Sequence, residues 1–168
     1  VLHRHLFQGA HAARMADGFG KMAEQYDKRI ASLSGQEFSQ AYVNNILRSP
    51  TEVLDSGLTA LAAALIHDQG AKAEMALAAQ LQKARYVDGQ SAADHSVITK
   101  ALALAGVTGP LDSAKTRAAQ IQMQAETLMA QYGISGVPVL LRHGKEGTVQ
   151  INISDFYKAP ERVVSLAA

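Results

Sequence analysis

The sequence predicts a mixed α/β domain with far more helix than strand. Three observations carry this. Alanine and leucine, two of the best helix formers, are abundant in a chain that is 48% hydrophobic and only 5% aromatic. Between about residues 13 and 132, apolar residues recur at helical spacing and the runs are punctuated by glycines and capping residues. Strict alternation appears only late, on either side of Gly144-Lys145-Glu146-Gly147, which predicts a β-hairpin.

Taken in order, Val1 to Phe7 reads as a short strand with Val1, His3, His5 and Phe7 on one face, and Gln8-Gly9-Ala10 breaks it. A helix is expected from Ala13 to Ser32, with Met22, Ala23, Tyr26 and Ile30 as its inward stripe, and a second from Glu37 to Leu47 with Phe38, Tyr42 and Ile46 on one side. Ser49-Pro50 and Asp55-Ser56 read as helix starts, with Ser56 as N-cap. From Pro50 to Leu104 the chain is expected to be helical apart from turns. Leu58, Leu61, Ala62 and Leu65 mark a helix ending at Gly70. A helix from Ala71 to Val87 turns Leu77, Leu81 and Ala84 inward and ends at Asp88-Gly89, and Asp94 caps one from Val97 to Leu104. A long helix follows from Asp112 to Tyr132, with Ile121, Ala125, Leu128 and Tyr132 as its stripe. The hairpin comes next, Val139 to His143 and Val149 to Ile153. Pro160 opens a last helix to about Ala167.

Composition excludes several functions. Formal net charge is +1 and no basic stripe stands out, so the electrostatic footprint of a nucleic-acid binder is missing. No apolar run approaches the roughly 20 residues of a bilayer span. Cysteine is absent, which removes disulfides, thiolate metal sites and cysteine nucleophiles from these 168 residues. No Gly-rich phosphate loop, paired-carboxylate signature or serine elbow occurs. His3 and His5 share a strand face at a spacing that can hold a metal, but no third ligand is placed by the sequence, so they read as partly exposed histidines and no metal is expected. Asp55 and Ser56 are explained by helix capping, Lys21, Glu24, Lys28 and Arg29 by a solvated helix face, and Met123 and Met129 by the core.

Three segments together resemble one family. Tyr132-Gly133-Ile134-Ser135-Gly136-Val137-Pro138-Val139-Leu140 follows a long helix and precedes a hairpin strand. It resembles the loop of thioredoxin-fold proteins that carries a cis-proline. Leu81-Gln82-Lys83-Ala84-Arg85-Tyr86-Val87-Asp88-Gly89, followed by Asp94 and Ile98, and Val53-Leu54-Asp55-Ser56 before an Ala-rich helix, resemble the helical insertion of DsbA-like proteins. The resemblance implies an α/β thioredoxin-like fold with a helical insertion subdomain: residues 1–12 and 108–168 as the thioredoxin part, about 13–107 as the insertion. It also implies thiol-disulfide oxidoreductase or isomerase activity for an intact protein, acting on protein thiols, disulfides or peptide segments. Glutathione-dependent isomerases and transferases share the fold, and a non-redox binding module is the third reading. A homodimer is compatible with all three.

The departure from the family is equally specific. Its first strand and Cys-x-x-Cys helix precede the strand that Val1 to Phe7 resembles, and neither is present here. That strand is central in the thioredoxin sheet. Leaving its neighbours unpaired would cost about 1–3 kcal/mol for each buried backbone group, against a whole-domain stability of about 5–15 kcal/mol. Residues preceding Val1, a second copy, or a rearranged sheet is therefore expected. The site implied by the resemblance is the proline loop: Val137 and Pro138, with Gly136 and Ser135 beside them, as substrate-binding residues in which a cis Val137–Pro138 bond exposes the Val137 backbone. No side chain supplies a thiolate, so no catalytic residue and no bound cofactor is expected in the chain itself. The compartment stays open, with the cytoplasm favoured and an upstream signal peptide not excluded.

Overall fold

The computed structural model describes residues 1–3 and 7–167, with the side chains of 166 and 167 left out. In chain order it contains β1 (Ala13–Arg14), α1 (Phe19–Ser34), α2 (Gln40–Tyr42), β2 (Val53–Leu54), α3 (Gly57–Ile66), α4 (Ala71–Gln82), α5 (His95–Leu104), α6 (Lys115–Gln131), β3 (Leu140–Gly144) and β4 (Gly147–Ile151). Helices α2 and α4 run on as single π-helical turns, Val43–Leu47 and Lys83–Val87. A 3-10 segment, Pro160–Ala167, closes the chain.

Helix α3 is apolar nearly all round, which suits only a helix enclosed by others. Ala60, Ala62, Ala63, Ala64 and Ile66 are buried, and α4, α5 and α6 pack around it. Ile66, Leu77, Ile98, Leu102 and Leu111 form the main core, and Ala64, Ala114, Ala118 and Ile121 join α6 to it. The small alanines let these axes approach closely. A second core, Met15, Tyr42, Ile46 and Leu47, lies where α1 meets α2. Tyr42 also stacks edge-on with Tyr86 and donates its hydroxyl to Asp27 Oδ2 at 2.9 Å. Burial and the Asp27 charge hold the Tyr42 hydroxyl far above its ordinary pKa. Beside it, the buried Arg85 guanidinium reaches Glu52 Oε1 at 3.6 Å, and the Ser91 hydroxyl donates to the same oxygen at 2.7 Å.

Several expectations are corrected. Helix α1 begins six residues later than Ala13, because Ala13–Arg14 pairs antiparallel with Val53–Leu54. The same pairing interrupts the stretch from Pro50 to Leu104 expected to be helical. No helix starts at Ser49-Pro50; the Ser49 hydroxyl instead accepts the N–H groups of Thr51 and Glu52 and turns the chain into β2. Met22, Tyr26 and Ile30 are largely exposed rather than inward. The buried side of α1 is set by Gly20, where a Cβ would stand 2.0 Å from the Leu47 carbonyl oxygen. That approach rotates the stripe away from the core. Met123, expected in or near the core, is likewise exposed.

Ser56 does not cap α3. Its hydroxyl donates to the Phe7 carbonyl at 2.7 Å, and Asp55 Oδ1 takes the Gly57 N–H at 2.7 Å instead. Asp94 does cap α5, through the Ser96 N–H at 2.8 Å. The hairpin forms around Lys145-Glu146 with Leu140 opposite Ile151 and Gly144 opposite Gly147, so its second strand starts two residues before Val149. Val1 to His3 and Phe7 are not in a strand, and the part of the expected strand at residues 4–6 lies outside the described residues. Among the described residues the sheet is rearranged into two separate antiparallel pairs, β1–β2 and β3–β4.

Candidate functional site

A cavity of about 760 Å³ opens between the helical block and the proline loop. One wall is helical: Thr59, Ala60 and Ala63 of α3, Glu74, Leu77 and Leu81 of α4, Leu128 and Met129 of α6. The other wall is Ile134, Val137, Pro138 and the first residues of the hairpin, Val139 to Leu141, with His143 at the edge. Val1 to His3 border it as well. A pocket of this size, mostly apolar with a few polar groups, fits a small ligand or part of a peptide.

Local sequence positions the loop. Helix α6 stops where Gly133 takes φ +62, and the Ile134 N–H returns to the Met129 carbonyl at 2.8 Å. The Tyr132 hydroxyl donates to Thr148 Oγ1 of β4 at 3.1 Å, and His143 Nδ1 lies 2.7 Å from the same oxygen. The end of α6 and the hairpin are thus pinned to each other on either side of the loop. The Val137–Pro138 peptide bond is cis. Val137 is about half exposed, at the cavity rim with Pro138. Of the four residues the sequence singled out, the structure brings Val137 and Pro138 to the cavity. Ser135 and Gly136 are exposed and do not line it.

The group the sequence reading missed is Glu74. Its side chain is only 3% exposed, yet it lines the cavity. Glu74 Oε1 lies 2.6 Å from His67 Nδ1 and 3.8 Å from His3 Nε2, and Glu74 Oε2 accepts from the Val1 ammonium at 2.8 Å. Burial acts to raise the Glu74 carboxyl, but the hydrogen bonds from the Val1 ammonium and His67 outweigh it and hold the group below the ordinary carboxylate value. A signal was present in the sequence: Glu74 sits on the same α4 stripe as Leu77 and Leu81, where an apolar residue is the rule. His5 lies outside the described residues, and no group of three or more ligating side chains able to hold a metal occurs among the described ones.

This architecture, a helical block followed through a cis-proline loop by a β-hairpin, matches a DsbA-like thioredoxin fold. Two solved structures show the likeness. Cytosolic disulfide reductase DsbM from Pseudomonas aeruginosa aligns with a TM-score of 0.77 at 23% identity, over 89% of this chain and 75% of that one. The same protein with GSH aligns with a TM-score of 0.71 at 24% identity, over 84% of this chain and 71% of that one. No family model and no curated protein matches the chain. No helix among the described residues is long and apolar enough to cross a membrane.

Proposed function

We propose that this chain forms the ligand-holding part of a DsbA-like thiol-disulfide oxidoreductase, with a thiol-bearing peptide or glutathione as the occupant of its cavity. The observation that carries the reading is the placement of Val137 and Pro138 at the rim of an apolar cavity in this fold. There an extended ligand can pair with the Val137 backbone as an added strand and lay its side chains against Leu77, Leu81 and Leu128. The related solved structure with GSH supports a glutathione-sized occupant. The neighbour described as cytosolic makes the cytoplasm the compartment to test first.

The chain alone performs no thiol exchange in this reading. Exchange begins with a thiolate attacking a disulfide sulfur, and the sequence has no cysteine. The thiol is supplied by residues outside these 168. Two experiments test the proposal. The first is a titration of the chain with glutathione followed by amide NMR shifts. Shifts are expected to cluster at Ile134 to Leu141 and along α4, and none up to millimolar ligand would refute the cavity reading. The second is the reading frame that precedes Val1 in the gene. A Cys-x-x-Cys there supports the oxidoreductase, a lone serine points to a glutathione-dependent isomerase or transferase, and neither leaves a non-redox binding module.

A further inference from the structure

We infer that the cavity is a socket for a large apolar side chain, and that the chain prefers a peptide or protein thiol flanked by a residue such as leucine over glutathione. The inference rests on the proposed use of the cavity and adds the class of ligand and the residues that select it.

Helices α3, α4 and α6 each turn one face to the cavity, and each face carries alanine: Ala60 and Ala63, Ala78, and Ala125. These are not the alanines that join the helices. On α3, Ala62 belongs to the main core and Ala64 packs with α6, while Ala60 and Ala63 border the cavity. An alanine side chain ends at Cβ, so the wall stops short there and leaves a recess floored by methyl groups. Leu77, Leu81 and Leu128 extend the apolar surface on the same helices. Val137 lies at the rim of the same cavity. A ligand strand paired with its backbone points alternate side chains to the same side, so one of them can enter the recess. A large apolar side chain there leaves water and covers the methyl groups, which is favourable in proportion to the apolar area buried. Glutathione brings two carboxylates and no large apolar side chain. The ionisable side chains on the described lining are the Glu74 carboxylate and the imidazoles of His3 and His143, with no lysine or arginine. A carboxylate laid against the alanine floor loses hydration without a fixed cation in return.

Calorimetric titration with two capped peptides, acetyl-Leu-Cys-Leu-amide and acetyl-Ala-Cys-Ala-amide, and with glutathione tests this. The test residue flanks the cysteine on both sides, so the direction of the bound strand does not matter. The unmodified chain should bind the leucine peptide about tenfold or more tightly than either the alanine peptide or glutathione, the scale of burying one large aliphatic side chain. Ala78→Leu fills the recess from a half-buried position, and should bring the two peptides to the same affinity. Because the peptide comparison is made on the unmodified chain, it holds even if the variant folds poorly. Equal binding of the two peptides, or glutathione binding as tightly as the leucine peptide, overturns the inference and leaves the cavity reading intact. A leucine preference undiminished in a folded Ala78→Leu variant overturns the inference as well. Binding of none of the three compounds overturns both.

Discussion

Gly89→Ala tests the joint between the end of α4 and the start of α2. Gly89 follows the π-helical turn Lys83–Val87 and has φ +64, a left-handed conformation that costs an L-residue with a side chain about 1–2 kcal/mol. An added Cβ would also stand 2.6 Å from the carbonyl carbon and oxygen of Ala41. Those are backbone atoms at the beginning of a helix, and they cannot swing aside as a side-chain tip does. Forcing a methyl group into such a contact costs about 1–3 kcal/mol. The sum is about 2–5 kcal/mol. At about 2–4 °C per kcal/mol for a domain of this size, that lowers the melting temperature by about 4–20 °C. Thermal unfolding followed by circular dichroism measures it. Gly109→Ala is the control, since it has neither positive φ nor any atom within 4 Å of the new Cβ. A Gly89→Ala variant melting within a degree of the unmodified chain would show that α2 and the end of α4 are not packed as described.

Three further outcomes are expected. Ile30→Ser should change stability by no more than about 0.5 kcal/mol in urea unfolding, because Ile30 is exposed; a loss of 2 kcal/mol or more would restore the inward stripe that the spacing alone suggests. Glu74 titrates below its ordinary 4.5 in the folded state, so its stabilisation is complete above that value and is lost as the pH falls through the lowered folded value. Glu74→Gln should accordingly lose less stability on acidification below pH 4.5 than the unmodified chain does, and parallel acid-unfolding curves would refute the pairing. In an insulin-reduction assay the chain should show no turnover above background, since it has no thiol to form the mixed disulfide.

Much of the fold was legible because local signals act within a few residues. Gly70, Gly89 and Gly133 end helices at the predicted places, Asp94 caps α5, and Lys145-Glu146 turns the hairpin. The cavity rim at Val137 and Pro138 was legible only through resemblance, since a Gly-Val-Pro sequence by itself names no partner. The α1 stripe shows where periodicity stops. Met22, Tyr26 and Ile30 define an apolar face correctly, but which face meets the core depends on how closely another segment can approach, and Gly20 against the Leu47 carbonyl decided that.

By itself, the sequence determined the helix-rich composition, the helix ends, the hairpin and the absence of thiol chemistry. Each follows from a residue's own conformational preference or reactivity. Only the tertiary structure decided that Ala13–Arg14 pairs with Val53–Leu54, that Ser56 holds the Phe7 carbonyl rather than capping α3, and that Glu74 meets His67 at the wall of the cavity. The physical reason is burial. A carboxylate on an exposed helix turn and one inside an apolar cavity have the same sequence. The cost of desolvating the second, and hence its need for a partner, exists only once the helices have packed.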